Sequence, residues 1–109
     1  MVKVFTSNIR YKGNKPVLDI TVKSGDKVFA PSWEMVISMM RGKLSWNEYE
    51  RLYHERMRRS WVVSKDRWKD VLSWDEVVLV CYCRDDMFCH RRLLKKYLVA
   101  CGAIDGGEI

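Results

Sequence analysis

No stretch of this sequence is long and apolar enough to cross a bilayer as a helix. The longest uninterrupted apolar run, Val77 to Cys83, holds seven residues against the ~20 that a spanning helix needs. The first ten residues are broken by Lys3 and Arg10 and contain neither the apolar stretch nor the cleavage pattern of a secretory leader. There is no Pro-, Gly- or Ser-rich tract long enough to act as a linker, and no internal repeat. These absences predict a soluble, cytoplasmic protein with no membrane partner. At 109 residues the chain is long enough for one core and too short for two ordinary domains, so a single domain over residues 1–109 is expected.

Apolar residues make up 48% of the chain and charged residues 31%, interleaved along its length, which favours folding over extended disorder. Four cysteines without a secretion signal point to thiols, a metal or redox chemistry before a disulfide framework. Twenty basic side chains against fourteen acidic ones give a net charge of +6. That balance serves solubility, and it also favours an anionic partner such as a nucleotide or nucleic acid.

The pattern of residues predicts strands over Val2–Thr6 and Val17–Val22, with Lys27–Ala30 as a short third strand ended by Pro31. Ser32 is placed to cap a helix over Trp33–Arg41, and Gly42 to end it. Ser45 and Glu48 have the spacing of a capping box at the head of a second helix. Along that helix Trp46, Tyr49, Tyr53 and Met57 share one face. Ser64 is expected to cap a short helix over Lys65–Leu72, with Trp68 and Leu72 facing inward. Val77–Cys83, β-branched and apolar on both faces, reads as a central strand covered by helices on both sides. A last helix, about Cys89 to Cys101, would bury Leu93, Leu94, Tyr97, Leu98 and Cys101, leave Arg91, Arg92, Lys95 and Lys96 wet, and stop at Gly102. The expected fold is a compact α/β sandwich whose small sheet mixes parallel and antiparallel pairs.

Ligands in open α/β sheets bind beyond the carboxyl ends of strands, where a following helix presents its N-terminus. The segment Cys83 to Arg91 occupies that position. Cys89 in the first helical turn would have its thiolate favoured by the helix dipole and by Arg91, which makes it the candidate nucleophile or redox thiol. His90 is the candidate base, Arg91 an anion clamp, and Asp19 an acid across the pocket. Cys81, inside an apolar strand, reads as an inert buried thiol. Cys81, Cys83, Cys89 and His90 include zinc-type ligands, but adjacent Cys89 and His90 do not form two separate knuckles, so neither metal nor cofactor is expected. A phosphatase-like loop is also a poor match, because seven residues separate Cys83 from Arg91 and none is glycine.

The strand, Cys81, Asp85, the triplet Cys89-His90-Arg91 and the apolar helix after it resemble the signature of the domain-of-unknown-function 488 family. Asp19, Pro31-Ser32, the Tyr49 and Tyr53 helix and the closing Gly102-Ala103 and Gly107-Glu108-Ile109 extend the resemblance over most of the chain. It is nearest to small archaeal and phage-type members. The resemblance implies an α/β fold and a site at the triplet, with no assigned activity. Cys83 stands where many relatives have an acidic residue, and Thr21 where an arginine often follows the aspartate.

Three functions remain open on the residues alone. The first is a small enzyme acting on a nucleotide or other anionic substrate through Cys89, His90, Arg91 and Asp19. The second is a nucleic-acid-binding module using basic helix faces, with Arg58, Arg59, Arg92 and Lys95 as anion contacts and tryptophans as stacking platforms. The third is a regulatory or interaction protein whose cysteine cluster only stabilises the fold.

Overall fold

The apolar segment near the C-terminal third forms an inner strand of a four-stranded sheet. A computed structural model describes residues 1–82 and 90–109. Its elements in chain order are β1 (Lys3–Asn8), β2 (Val17–Asp19), α1 (Trp33–Met40), α2 (Trp46–Val63), α3 (Lys65–Leu72), β3 (Glu76–Cys81), α4 (His90–Ala100) and β4 (Ile104–Glu108). The strand order is β2-β3-β1-β4, and all three pairings are parallel. The sheet is therefore parallel rather than mixed. The expected β3 ends at Cys81; Cys83 lies outside the described residues.

Alternation along the strands sorts side chains onto two faces. Val2 and Val4 of the first segment, Leu18, and Val77, Leu79 and Cys81 join the main core, and each of the four helices contributes buried residues to it. The opposite face carries a smaller cluster of Phe5, Val78 and Val80, covered by Ile9 and Tyr11 from the connection between β1 and β2. Among the described residues, helices thus cover β3 on one side, not both. A short nonhelical crossover suffices on the other side because only three core residues need covering there.

Two expected strands fall short. β2 stops at Asp19, and residues 27–30 form turns instead of a third strand. The carbonyls that a strand at 27–30 would offer to a neighbour are taken by side chains of α2. Ser60 Oγ donates to Val28 O at 2.7 Å, Tyr53 Oη to Phe29 O at 2.7 Å, and Arg56 Nε to Ala30 O at 2.7 Å. The segment is bolted to a helix and not to a sheet.

The helix boundaries follow their caps. Ser32 Oγ accepts from Met35 N, and Ser45 Oγ from Glu48 N, each at 3.2 Å. Ser64 departs from expectation: it makes no side-chain cap and is a single-residue break between α2 and α3. At the end of α4, Gly102 adopts φ +106, which lets Ala103 N bond Leu98 O at 3.0 Å and turns the chain straight into β4. Tyr97 is half-buried, and Cys101, expected in the core, is exposed because the helix has ended.

β4 was not anticipated. It pairs with β1 through a bulge: Val4 stands opposite Asp105 but Phe5 opposite Gly107, so Gly106 is the extra residue. A side chain at Gly106 would begin 2.7 Å from the Phe5 ring, so the bulge fits only with glycine there. The one-residue shift sets Glu108 opposite Thr6, on the helix-bearing side of the sheet.

The buried hydroxyl of Tyr53 gives a direct check on the α2 attachment. Tyr53→Phe is expected to lower the unfolding free energy by about 1–2 kcal/mol, because it leaves the Phe29 carbonyl without this donor in the core. Urea denaturation measures it; an unchanged midpoint would show that the bond does not hold the turn.

Candidate functional site

The chain leaves β1 towards β2 on one edge and leaves β3 towards β4 on the other, so the connections diverge beyond the carboxyl ends of β1 and β3. Such a divergence is where open α/β sheets place their ligand crevices. Asn8 and Cys81, partners in register, end the two strands there, and α4 begins over them with His90 and Arg91.

Arg91 is the largest fully buried side chain among the described residues, at 0% exposure, and so is not on the wet face of α4. Its Nη1 donates to Cys81 Sγ at 3.1 Å, while Nη2 and Nε reach the Glu108 carboxylate at 3.0 and 3.4 Å. Thr6 Oγ1, also fully buried, donates to the same carboxylate. With its Nε and Nη2 edge on Glu108, the guanidinium does not present that fork to a substrate. What it faces instead is a sulfur, and a cation beside a thiol favours the thiolate.

His90 is buried, and its Nε2 lies 2.7 Å from the carbonyl of Ile20. A carbonyl only accepts, so Nε2 carries the proton and the neutral ring is held in one tautomer. The ring also packs at 5.5 Å from Tyr53. Burial pushes its imidazole below the usual value of 6.5, against the pull of Cys81 and the Ile20 carbonyl. His90 is thereby neutral near pH 7, as a base must be.

Asp19 does not have the character of an acid. Burial disfavours its charge, but hydrogen bonds from Ser24 and Thr21 outweigh that and hold the carboxyl below the usual carboxylate range. Its oxygens accept from Ser24 Oγ at 2.6 Å and Thr21 N at 2.8 Å, so Asp19 shapes the turn after β2. It remains ionised where a general acid would need its proton.

The proposed thiol Cys89 lies outside the described residues, as does Cys83. Among the described residues no three His, Cys, Asp or Glu side chains converge as metal ligands would. The anion contacts expected on the helices differ in exposure and pairing. Arg58 and Arg59 are exposed on α2 with Glu55 beside them, and Lys95 is paired with Asp105 at 3.1 Å. Arg92 is half-buried. A cleft of about 590 Å³ opens between α1 and α2, with Lys27, Arg56 and Arg59 opposed by Glu34 and Glu55, and none of Cys81, His90 or Arg91 lines it.

Glu108 and Thr6 escaped the reading of the sequence. Thr6 is the sole hydroxyl among the helix-side positions of β1, and Glu108 follows two glycines that disguise a strand. Arg91 carried a legible signal: it stands three and seven residues before Leu94 and Leu98, on their face of the helix.

Residues 7–102 match a family model, DUF488-N3a, described as the active DUF488-N3 subclade. Neither curated proteins nor solved structures give a match. No helix among the described residues is long and apolar enough to cross a membrane.

Two results would test the site as a folded unit. His90 resists protonation when folded, whereas the unfolded chain takes up that proton below about pH 6.5, so stability falls as pH drops through that value. His90→Gln, which can still donate to Ile20 O, is expected to flatten the midpoint-against-pH curve from that value downward; an unaltered acid slope would contradict it. Glu108→Ala strands a buried guanidinium and is expected to cost about 2 kcal/mol, at the low end for a buried pair because the carboxylate is part-exposed. Chemical denaturation at neutral pH checks the loss, and a change within error would contradict it.

Proposed function

We propose that the chain, which belongs to the DUF488-N3a family, is a small thiol enzyme acting on a nucleotide or other anionic substrate, with Cys81 as its reactive group. The observation that carries this is the guanidinium of Arg91 held 3.1 Å from Cys81 Sγ at the carboxyl end of an inner strand. A guanidinium is charged at every relevant pH, so placing it in the interior against a sulfur supplies a permanent counter-charge for a thiolate. The sequence points to Cys89 as the sulfur and to Cys81 as an inert buried thiol; Cys89 lies outside the described residues, and the proposal places the sulfur at Cys81 beside His90 and Arg91. In this reading Arg91 holds the thiolate, His90 is the neutral proton acceptor, and Asp19 orders the turn after β2.

The anionic character of the substrate rests on the net charge of +6 and on the start of α4 lying at the carboxyl ends of β1 and β3. A nucleic-acid platform has less support. Trp68 is buried, and Trp46, Trp61 and Trp74 pack against the core; only Trp33, at 55%, is among the exposed large apolar residues. A purely structural role for the thiol would not require a buried cation at its sulfur.

Cys81 should be alkylated by iodoacetamide in the folded protein at pH values where an ordinary thiol is still protonated. Peptide mass spectrometry after timed labelling compares it with Cys101, the exposed thiol on the same chain. Labelling of Cys81 that sets in at a lower pH than labelling of Cys101 is expected; burial slows Cys81 at every pH alike, so the onset and not the absolute rate is compared. Labelling of Cys81 only upon unfolding would remove the basis of the proposal.

A further inference from the structure

We infer that Glu108, reaching in from β4 through the bulge at Gly106, is the positioning residue that sets the reactivity of Cys81. The inference rests on the thiol reading above and deepens it. Glu108 never needs to touch a substrate or the sulfur to act, because it works through the one cation between them.

The geometry shares Arg91 between Glu108 and Cys81. Its Nη2 and Nε edge is turned to Glu108, at 3.0 and 3.4 Å, which aims Nη1 at Cys81 Sγ 3.1 Å away. The carboxylate therefore fixes where the guanidinium points and cancels part of the charge that the sulfur feels. Thr6 Oγ1 orients the carboxylate from β1, and Thr6 and Glu108 are partners in the sheet register. Among the described residues, His90 on α4 and Asp19 at the end of β2 also bear on Cys81, and its partner on β1, Asn8, is uncharged. His90 is kept neutral by burial and Asp19 is satisfied within its own turn, so among the described residues the Arg91–Glu108 pair is the charge closest to the sulfur.

Glu108 and Thr6 both lie outside residues 7–102, the stretch that matches the family. The residues that tune the cation thus belong to the two strands that frame this stretch, and the bulge brings them together. A shift of one position in β4 would turn Glu108 to the opposite face of the sheet and leave Arg91 without its carboxylate.

Two variants separate charge from shape. Glu108→Gln keeps the length and an acceptor oxygen for Arg91 while removing the negative charge, so the full cation then faces the sulfur. Alkylation of Cys81 by iodoacetamide at a fixed pH below its midpoint should be about tenfold faster, which corresponds to a midpoint about one pH unit lower. Glu108→Asp keeps the charge, set back by one methylene, and should fall between wild type and Glu108→Gln; it also carries the test if the glutamine variant does not fold. Circular dichroism confirms the fold of each before labelling. A loosened structure would accelerate labelling at every pH alike, whereas the inference requires the pH profile itself to move. If labelling of wild-type Cys81 sets in at a lower pH than that of Cys101 but its pH midpoint stays the same or rises in both variants, the role of Glu108 is overturned and the thiol reading stands. If labelling of wild-type Cys81 does not set in at a lower pH than that of Cys101, the thiol reading falls and this inference falls with it.

Discussion

A guanidinium with no exposure to solvent is the constraint on which the rest of this protein turns. Removing an arginine from water is costly, and the cost is tolerable only when nearly every donor has a partner of suitable charge and geometry. Arg91 draws those partners from different parts of the chain: Cys81 from the end of β3, and Glu108 from the end of β4, which is itself held by Thr6 of β1. Three parallel strands are thus fixed in relative position at their carboxyl ends by one side chain. The turn at Gly102 and the bulge at Gly106 become intelligible as the means by which a chain leaving α4 returns a carboxylate to the residue that opened the helix.

The neighbouring residue closes the other side. His90 bonds the carbonyl of Ile20, just beyond β2, so two consecutive side chains attach the first turn of α4 to β3, to β4 and to the segment after β2. A polar interior at this end of the sheet contrasts with the apolar interior beneath it, where Tyr53, Phe29 and Trp68 pack without charge. Stability alone is served as well by an apolar residue as by a buried ion pair. That the polar set lies at the divergence of the strand connections, and includes a sulfur, is what distinguishes it from ordinary packing.

Much of the fold was legible because its signals are local. Ser32 and Ser45 announce helix starts through their own side chains, the Tyr49, Tyr53 and Met57 stripe repeats at helical spacing, and Val77–Cys81 is apolar on both faces. What could not be read depends on distant partners. Residues 27–30 look like a strand but give their carbonyls to Tyr53, Arg56 and Ser60, which stand 24 to 32 positions away. β4 looks like a polar tail and becomes a strand only because β1 offers a free edge. At the site, Cys81 was legible as buried but not as the neighbour of a cation. Arg91 was assigned to the wet face because its charge outweighed its spacing from Leu94 and Leu98.

The central claim is that the Arg91 guanidinium is locked in the interior between Cys81 and Glu108, and side-chain nitrogen NMR tests it most directly. The account predicts that the Arg91 Nε–H resonance exchanges slowly with solvent at neutral pH and shifts when Cys81 is replaced by alanine, since both ends of the guanidinium are tied. An Nε–H that exchanges as fast as those of surface arginines, and that is indifferent to the loss of Cys81, would contradict it.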